Sequence, residues 1–276
     1  MGATALAYSC LNSAVGGGSM SQPVSFLIPC APKSKYLAET LRAIDAQTHQ
    51  DWEVVLVFDG ECEENRTAAK ELPEGRVKIL LTDKPRSGPA VARNVGLKEC
   101  AHELVALCDA DDLPAPDRLA KQVAQFEARP ELGLLATWGR KFTDAGEDRG
   151  PMPTPIGSEK LAKILLLFNP MTNSTVMLRR SIALELNGFN PAAVRVEDYD
   201  LWLRFLGRAV VDVLPEELLR YRVHDGQYSR GRILGPQTSV LLDSKLGAAR
   251  RLGLSTAATR FKHLLWLAVQ VANRRW

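Results

Sequence analysis

Along the first 110 positions, short apolar runs alternate with amphipathic stretches in a repeating order. Runs at 24–28, 53–58, 76–81 and 103–108 read as strands, and segments 35–47, 63–72 and 88–99 between them read as helices. The strand-like runs are largely continuous in apolar residues, the form expected when helices cover both faces of a parallel sheet. The pattern therefore predicts a doubly wound α/β half. Ligands in such sheets gather at the carboxyl ends of the strands, so the residues directly after each run carry the chemical information. Beyond Asp112, Pro114 to Leu119 opens another helix and the alternation loosens. Strands are expected at 132–138, 140–143 and 174–178, a proline-rich excursion at 144–155 and a helix at 159–168. This second half reads as a mixed sheet, with no internal repeat and no second domain.

The strand ends are polar and acidic. Pro29-Cys30 follows the first, Asp59-Gly60 the second, and Asp109-Ala110-Asp111-Asp112 the fourth. Two carboxylates one residue apart after a strand can share a hard divalent cation, with phosphate oxygens and water completing its shell. An acidic turn that caps the next helix is the plainer reading, and Asp112 suits it. A second acidic cluster, Glu197-Asp198-Tyr199-Asp200, precedes a dense apolar helix. Asp198 and Asp200 diverge on a helix, so one is expected to cap or pair while the other is free to act as a base. Arg93, in the small-residue helix Gly88 to Gly96, offers a fork for a carboxylate, phosphate or base edge. Arg222-Val223-His224, with Arg230 beyond, offers cationic partners for a diphosphate and an imidazole ligand.

Composition adds bounds. At 276 residues, 46% hydrophobic and 24% charged, the chain is an ordinary globular protein that needs no disulfide or structural metal to fold. Its five cysteines are scattered and show no zinc spacing, which points to reduced thiols and a cytoplasmic setting. The net charge of +3 is unevenly spread: residues 244–276 hold seven Lys/Arg and no acid, leaving −4 on the remainder. That argues for one end meeting an anionic surface and against a nucleic-acid-coating protein. Phe261, Leu264, Leu265, Val269 and Ala272 recur at helical spacing in this basic segment. It is expected to form an amphipathic helix that docks on the protein's own core, pairs with a second copy or rests on the inner face of a membrane. No apolar run approaches the roughly 20 residues a membrane-spanning helix needs. Residues 1–22, rich in small residues and ending near a second methionine, read as a flexible extension, tag or linker; a signal peptide fits them poorly.

Taken in order, several segments resemble the family 2 inverting glycosyltransferases. They are Val24 to Pro29, Gln47-Thr48 with Trp52 to Asp59-Gly60, Gly88 with Ala92-Arg93-Asn94-Val95-Gly96, and Asp109 to Asp112 with Pro116-Asp117-Arg118-Leu119. Gly188-Phe189-Asn190, Glu197 to Arg204 and Tyr221 to His224 complete the set. The resemblance spans residues 23–232 and implies a GT-A fold: a Rossmann-like, mostly parallel sheet with helices on both faces and a mixed acceptor-binding half. Charge and spacing mark residues 233–276 beyond it as a basic helical tail. The resemblance implies that Pro29, Asp59 and Arg93 line the nucleotide pocket, with Asp109 near the ribose and Arg222 and Arg230 near the diphosphate. Asp111 and His224 would hold Mn²⁺ or Mg²⁺, Asp198 would be the general base, and Glu197 would help place the acceptor. The acceptor could be a glycan, a lipid-linked saccharide or a peptide. The chain departs from the family where Cys30-Ala31-Pro32 stands for Tyr-Asn and Phe58-Asp59 for two adjacent Asp. UDP is the leading donor nucleotide, with dTDP and GDP open. Two rivals remain: a catalytically silent sugar-nucleotide or glycan-binding module, and a sugar-phosphate nucleotidyltransferase, whose glycine-rich basic loop is missing after the first strand.

Overall fold

The computed structural model describes residues 21–228 and 233–272. Its first half follows the apolar alternation closely: β1 (Val24–Cys30), α1 (Leu37–Asp45), β2 (Trp52–Phe58), α2 (Glu63–Ala69), β3 (Val77–Leu81), α3 (Pro89–Glu99) and β4 (Leu104–Leu107). Strands β3, β2, β1 and β4 lie side by side in parallel. Alternate residues of β1 enter different cores. Leu27 packs in one cluster with Val55, Val57, Val105 and Leu107, while Phe26 and Ile28 pack in the other with Val54, Leu56 and Ala106. Both faces of the sheet are thus buried, which is why these strands have no polar side. Helix α3 lies close against the sheet because Gly96 has no side chain. A Cβ there would collide with Leu27 Cδ1 and lie 2.8 Å from Val57 Cγ2.

The second half contributes β5 (Leu113–Pro114), α4 (Arg118–Ala128), β6 (Leu132–Thr143), β7 (Asp148–Met152), α5 (Ser158–Leu165), a 3₁₀ turn (Asn173–Thr175), β8 (Met177–Arg179), α6 (Arg180–Glu185), α7 (Glu197–Phe205) and β9 (Val210–Val223). They extend the sheet in the order β4-β8-β6-β9-β5, and β7 pairs with β6. β8 runs antiparallel to β4 and β6, while β9 runs parallel to β6, so the mixed character expected of this half is present. Two expected strands, 132–138 and 140–143, are one strand. Register shifts around Trp138 bend β6 without ending it, as bulges do. The strand expected at 174–178 begins as the 3₁₀ turn, whose Asn173 and Ser174 side chains are used at the acidic turn after β4.

Two sequence motifs prove to be braces. Gln47 Nε2 donates to Ala115 O at 2.7 Å and its Oε1 accepts from Leu119 N, fixing the start of α4. Arg118, fully buried, donates through Nη2 to Leu107 O and Val176 O at 3.1 Å each, tying β4 to the crossover before β8.

The basic C-terminal segment forms two helices, α8 (Gln237–Arg251) and α9 (Thr256–Ala272). Leu241, Ala248, Ala249 and Trp266 belong to the same buried cluster as the sheet face carrying Leu27. Among the described residues no helix is long and apolar enough to cross a membrane.

Candidate active site

The site is built where β1, β2 and β4 end, from α3 and from the first turn of α7. Arg93, on α3, is 5% exposed. Its Nη2 donates to Asp109 Oδ1 at 2.8 Å and its Nη1 to Glu197 Oε1 at 3.0 Å. Burial works against this charge, yet Asp109 and Glu197 outweigh it and raise the guanidinium above its ordinary value. Asp109 also accepts from Asn173 Nδ2 at 3.0 Å, and its backbone N–H donates to Ser174 Oγ. Asn94, the next residue on α3, makes a reciprocal pair with the Phe189 backbone, 2.7 Å each way. Gly188 beside it has φ +64°, with the Asn94 amide where a side chain would sit. This accounts for the Gly188-Phe189 motif: adjacent α3 residues reach the acidic centre and pin the loop leading to α7.

Of the two acids expected to diverge on α7, Asp200 is the paired one. Asp200 is 1% exposed and pairs with Arg204 Nη2 at 2.7 Å and with Ser244 Oγ on α8. Arg204 in turn binds Leu186 O and Gly188 O. Asp200 is therefore a packing anchor. Asp198 is half-buried, and among the described residues it forms no direct ion pair, although Arg93 lies near enough to pull its carboxyl down somewhat. It accepts from the Tyr199 N–H at 2.6 Å and from Asn169 Nδ2 at 3.3 Å. Burial, and then the neighbouring Glu197 charge, push its carboxyl up to about 7. Near that value it can both exist as a base at neutral pH and hold a proton once taken. Asp198 borders a largely apolar cavity of about 620 Å³ formed with Leu167, Asn169, Tyr199 and α9 residues Trp266 and Val269.

At the other end of the acidic turn, Asp111 Oδ2 lies 2.8 Å from His224 Nε2, just past β9. Burial and the facing Asp109 push the Asp111 carboxyl up, with His224 pulling it back. Carboxylate oxygen and imidazole nitrogen suit a divalent cation such as Mn²⁺, and the crowded negative charge favours one. Among the described residues no three His, Cys, Asp or Glu side chains converge as a complete metal cluster. What the chain offers is a half-shell, which fits an ion whose remaining ligands are diphosphate oxygens and water.

Other expected residues take up different surroundings. Asp59 is 8% exposed and accepts from Thr82 Oγ1, Ser87 N and Gly88 N, each at 2.8 Å. It thereby shapes the loop that launches α3, and Pro29 stands at the adjoining end of β1 in register with Val57. Arg222, expected to face a diphosphate, is engaged inside the protein. Its Nε donates to Asp111 O at 3.0 Å, its Nη2 pairs with Glu39 at 2.6 Å, and its guanidinium stacks 4.2 Å from the Tyr36 ring. The Arg222 N–H also donates to buried Asp112, so Asp112 holds β9 to the turn. Arg230 and residues 1–20 lie outside the described residues. Glu39 and Tyr36 of this cluster had no signal in the sequence; their partner, Arg222, is more than 180 positions away.

The sequence model described as "Glycosyl transferase family 2" matches residues 25–186. The chain belongs to this family. A glycosyltransferase named for amylovoran biosynthesis, AmsE of Erwinia amylovora, is 28% identical over 203 residues, covering 72% of this chain and 75% of that protein. Among solved structures, S. aureus TarS 1–349 in complex with UDP superposes with a TM-score of 0.70 at 17% identity, covering 92% of this chain and 73% of that one. A mannosyltransferase from Pyrobaculum calidifontis, in complex with GDP-Man and Mn²⁺, gives 0.60 at 19% identity, covering 92% and 76%. The fold of this glycosyltransferase is accordingly GT-A.

Proposed function

We propose that this glycosyltransferase moves a sugar from a nucleoside diphosphate sugar, with UDP the leading nucleotide, to an acceptor hydroxyl with inversion, using Asp198 as general base. The observation that carries the reading is the placing of Asp198: a carboxyl raised to about 7, in no direct ion pair among the described residues, at the edge of a cavity and beside the Arg93–Glu197 pair. Solved GT-A neighbours in complex with UDP and with GDP-Man and Mn²⁺ support a donor of this class and a divalent ion.

In this reading Asp198 accepts the acceptor's hydroxyl proton as that oxygen forms its bond to the anomeric carbon. The bond from that carbon to the diphosphate breaks on the opposite face, so an α-linked donor yields a β-linked product. Glu197, held by Arg93, sets the start of α7 and so the aim of Asp198. Asp111 and His224 would hold the Mn²⁺ or Mg²⁺. A bound cation would supply positive charge to the departing diphosphate. Pro29, Asp59 and the 82–88 loop form the nucleotide side; Arg222 keeps the Asp111 turn in register, and Arg230 follows His224 in the chain as a further cation. The catalytic unit is assigned to residues 23–232, with 233–276 as its basic helical appendage. The four described cysteines are unpaired and buried, which supports a cytoplasmic setting.

The test is a donor screen with UDP-, dTDP- and GDP-sugars, with and without Mn²⁺, reading released nucleoside diphosphate and donor binding. Asp198→Asn should bind donor as the parent does while losing transfer by roughly 10²–10⁴-fold. Unchanged turnover in that variant removes Asp198 from the role, and no response to any donor removes the donor class.

A further inference from the structure

Helix α9 leaves much of its apolar surface outside. The residues it buries are Thr259, His263 and Trp266, with Leu267 packed against the core beside them. The face it presents outward carries Phe261 and Leu264, which are 62% and 61% exposed, with Leu265 and Val269, 48% and 52% exposed, at its edge toward the cavity that Asp198 borders. An ordinary surface helix buries its apolar stripe and exposes its polar one.

The inward face is held by specific contacts. Lys245 on α8 is buried, and among the described residues no carboxylate pairs with it. Its Nζ donates to Leu167 O at 2.9 Å and lies 4.9 Å from the Trp266 ring centroid and 5.3 Å from that of Tyr199. His263 stacks on Trp266 at 5.5 Å. These contacts fix which way the apolar face points.

We infer that the outward face of α9 docks on an anionic lipid surface. Three observations select that occupant. The face is apolar and flanked on its own helix by Arg260 and Lys262, within a segment, residues 244–276, that holds no acid. An apolar face with basic flanks is the composition of a helix lying in the headgroup region. Pairing α9 with its twofold mate would set like charges together with no acid in the segment to meet them. Finally, α9 is 17 residues long and does not qualify as a span, so it lies on the surface rather than crossing it.

The placement also bears on the reaction, a consequence that rests on the proposed role of Asp198. Trp266 and Val269 of α9 form one wall of the cavity that Asp198 borders. A saccharide carried on a lipid would enter this cavity beside the docked helix, with its hydroxyl toward Asp198 and its apolar chain remaining in the bilayer.

The full chain should be sedimented with vesicles of phosphatidylcholine alone and with about 30 mol% phosphatidylglycerol, at low and high salt. Binding is expected to be about tenfold or more tighter on the anionic vesicles and to weaken with salt. Phe261→Glu with Leu264→Glu should abolish it while leaving the melting temperature and the Mn²⁺-dependent binding of donor unaltered. Donor binding serves as the folding control, and vesicle binding needs no turnover, so a failed transferase assay leaves this result standing. No binding to either vesicle overturns the inference, as does equal binding to both. A dimer in sedimentation velocity that the double variant converts to monomer, without vesicle binding by the parent, would assign the face to a second copy and overturn it too.

Discussion

Arg93 and Glu197, 104 residues apart in the chain, form an ion pair of 3.0 Å in which both side chains are under 8% exposed. The same guanidinium reaches Asp109 at 2.8 Å. One cation thus ties the turn after β4, on the donor side, to the first turn of α7 that carries Asp198.

Removing that cation leaves two partners uncompensated. Arg93→Ala should cost about 3–5 kcal/mol of stability, as breaking a buried pair from one side does, and transfer should fall even in the folded fraction because the Asp109 turn and α7 are no longer held in register. Denaturant unfolding and turnover at a temperature where the variant is folded check both. A loss under about 1 kcal/mol would mean that the pair is not desolvated as the geometry shows.

The pH profile follows from Asp198. Its carboxyl is raised from the ordinary value to about 7, so below neutrality it carries a proton and cannot accept another. kcat/KM, which reports the free enzyme, should rise with pH through about 7 and then level. Stability should move the other way. The folded state holds this proton at pH values where the unfolded chain has lost it, so the group's contribution declines as pH rises from about 4 through 7. Asp198→Asn should remove that segment of the stability profile.

Metal dependence should reside at Asp111 and His224. Chelation should abolish transfer and Mn²⁺ restore it. Asp111→Ala should abolish metal-dependent donor binding, while His224→Ala should weaken it by about 10–100-fold, the scale on which perturbed metal surroundings act. Calorimetry of Mn²⁺ with the nucleoside diphosphate reads this without turnover. Equal affinity in the Asp111 variant would remove the site.

Asp200 provides the contrast with Asp198. Its carboxylate joins Arg204 and Ser244 inside the protein, so Asp200→Ala should lower stability by about 3–5 kcal/mol. The pH at which kcat/KM turns should be unchanged in the fraction that folds. A shifted turning point would place Asp200 in the proton transfer.

Much of the first half was legible in the chain, because β1, β2 and β4 are buried on both faces and show it as unbroken apolar runs. The acids after those strands were legible for the same reason: a short run marks where the sheet ends. In the motif Glu197 to Asp200, helical spacing shows only that Asp198 and Asp200 diverge, and the resemblance alone points to Asp198. That Asp200 is engaged inside the protein, by Arg204 on the next turn and Ser244 on another helix, was not legible in the spacing. Arg222 read as a free cation; Glu39 and Tyr36, distant in sequence, make it an internal brace.

The sequence by itself determined the succession of the first strands and helices, the acidic strand ends and the family resemblance, all of which depend on local composition and spacing. Tertiary structure alone decided the partners of Arg93, the 2.8 Å approach of Asp111 to His224, and the direction of α9. Periodicity in that helix states that one face is apolar. Whether the face turns inward or outward depends on what meets the other side, and here Lys245, Tyr199 and the body of the protein receive His263 and Trp266, leaving Phe261 and Leu264 outside.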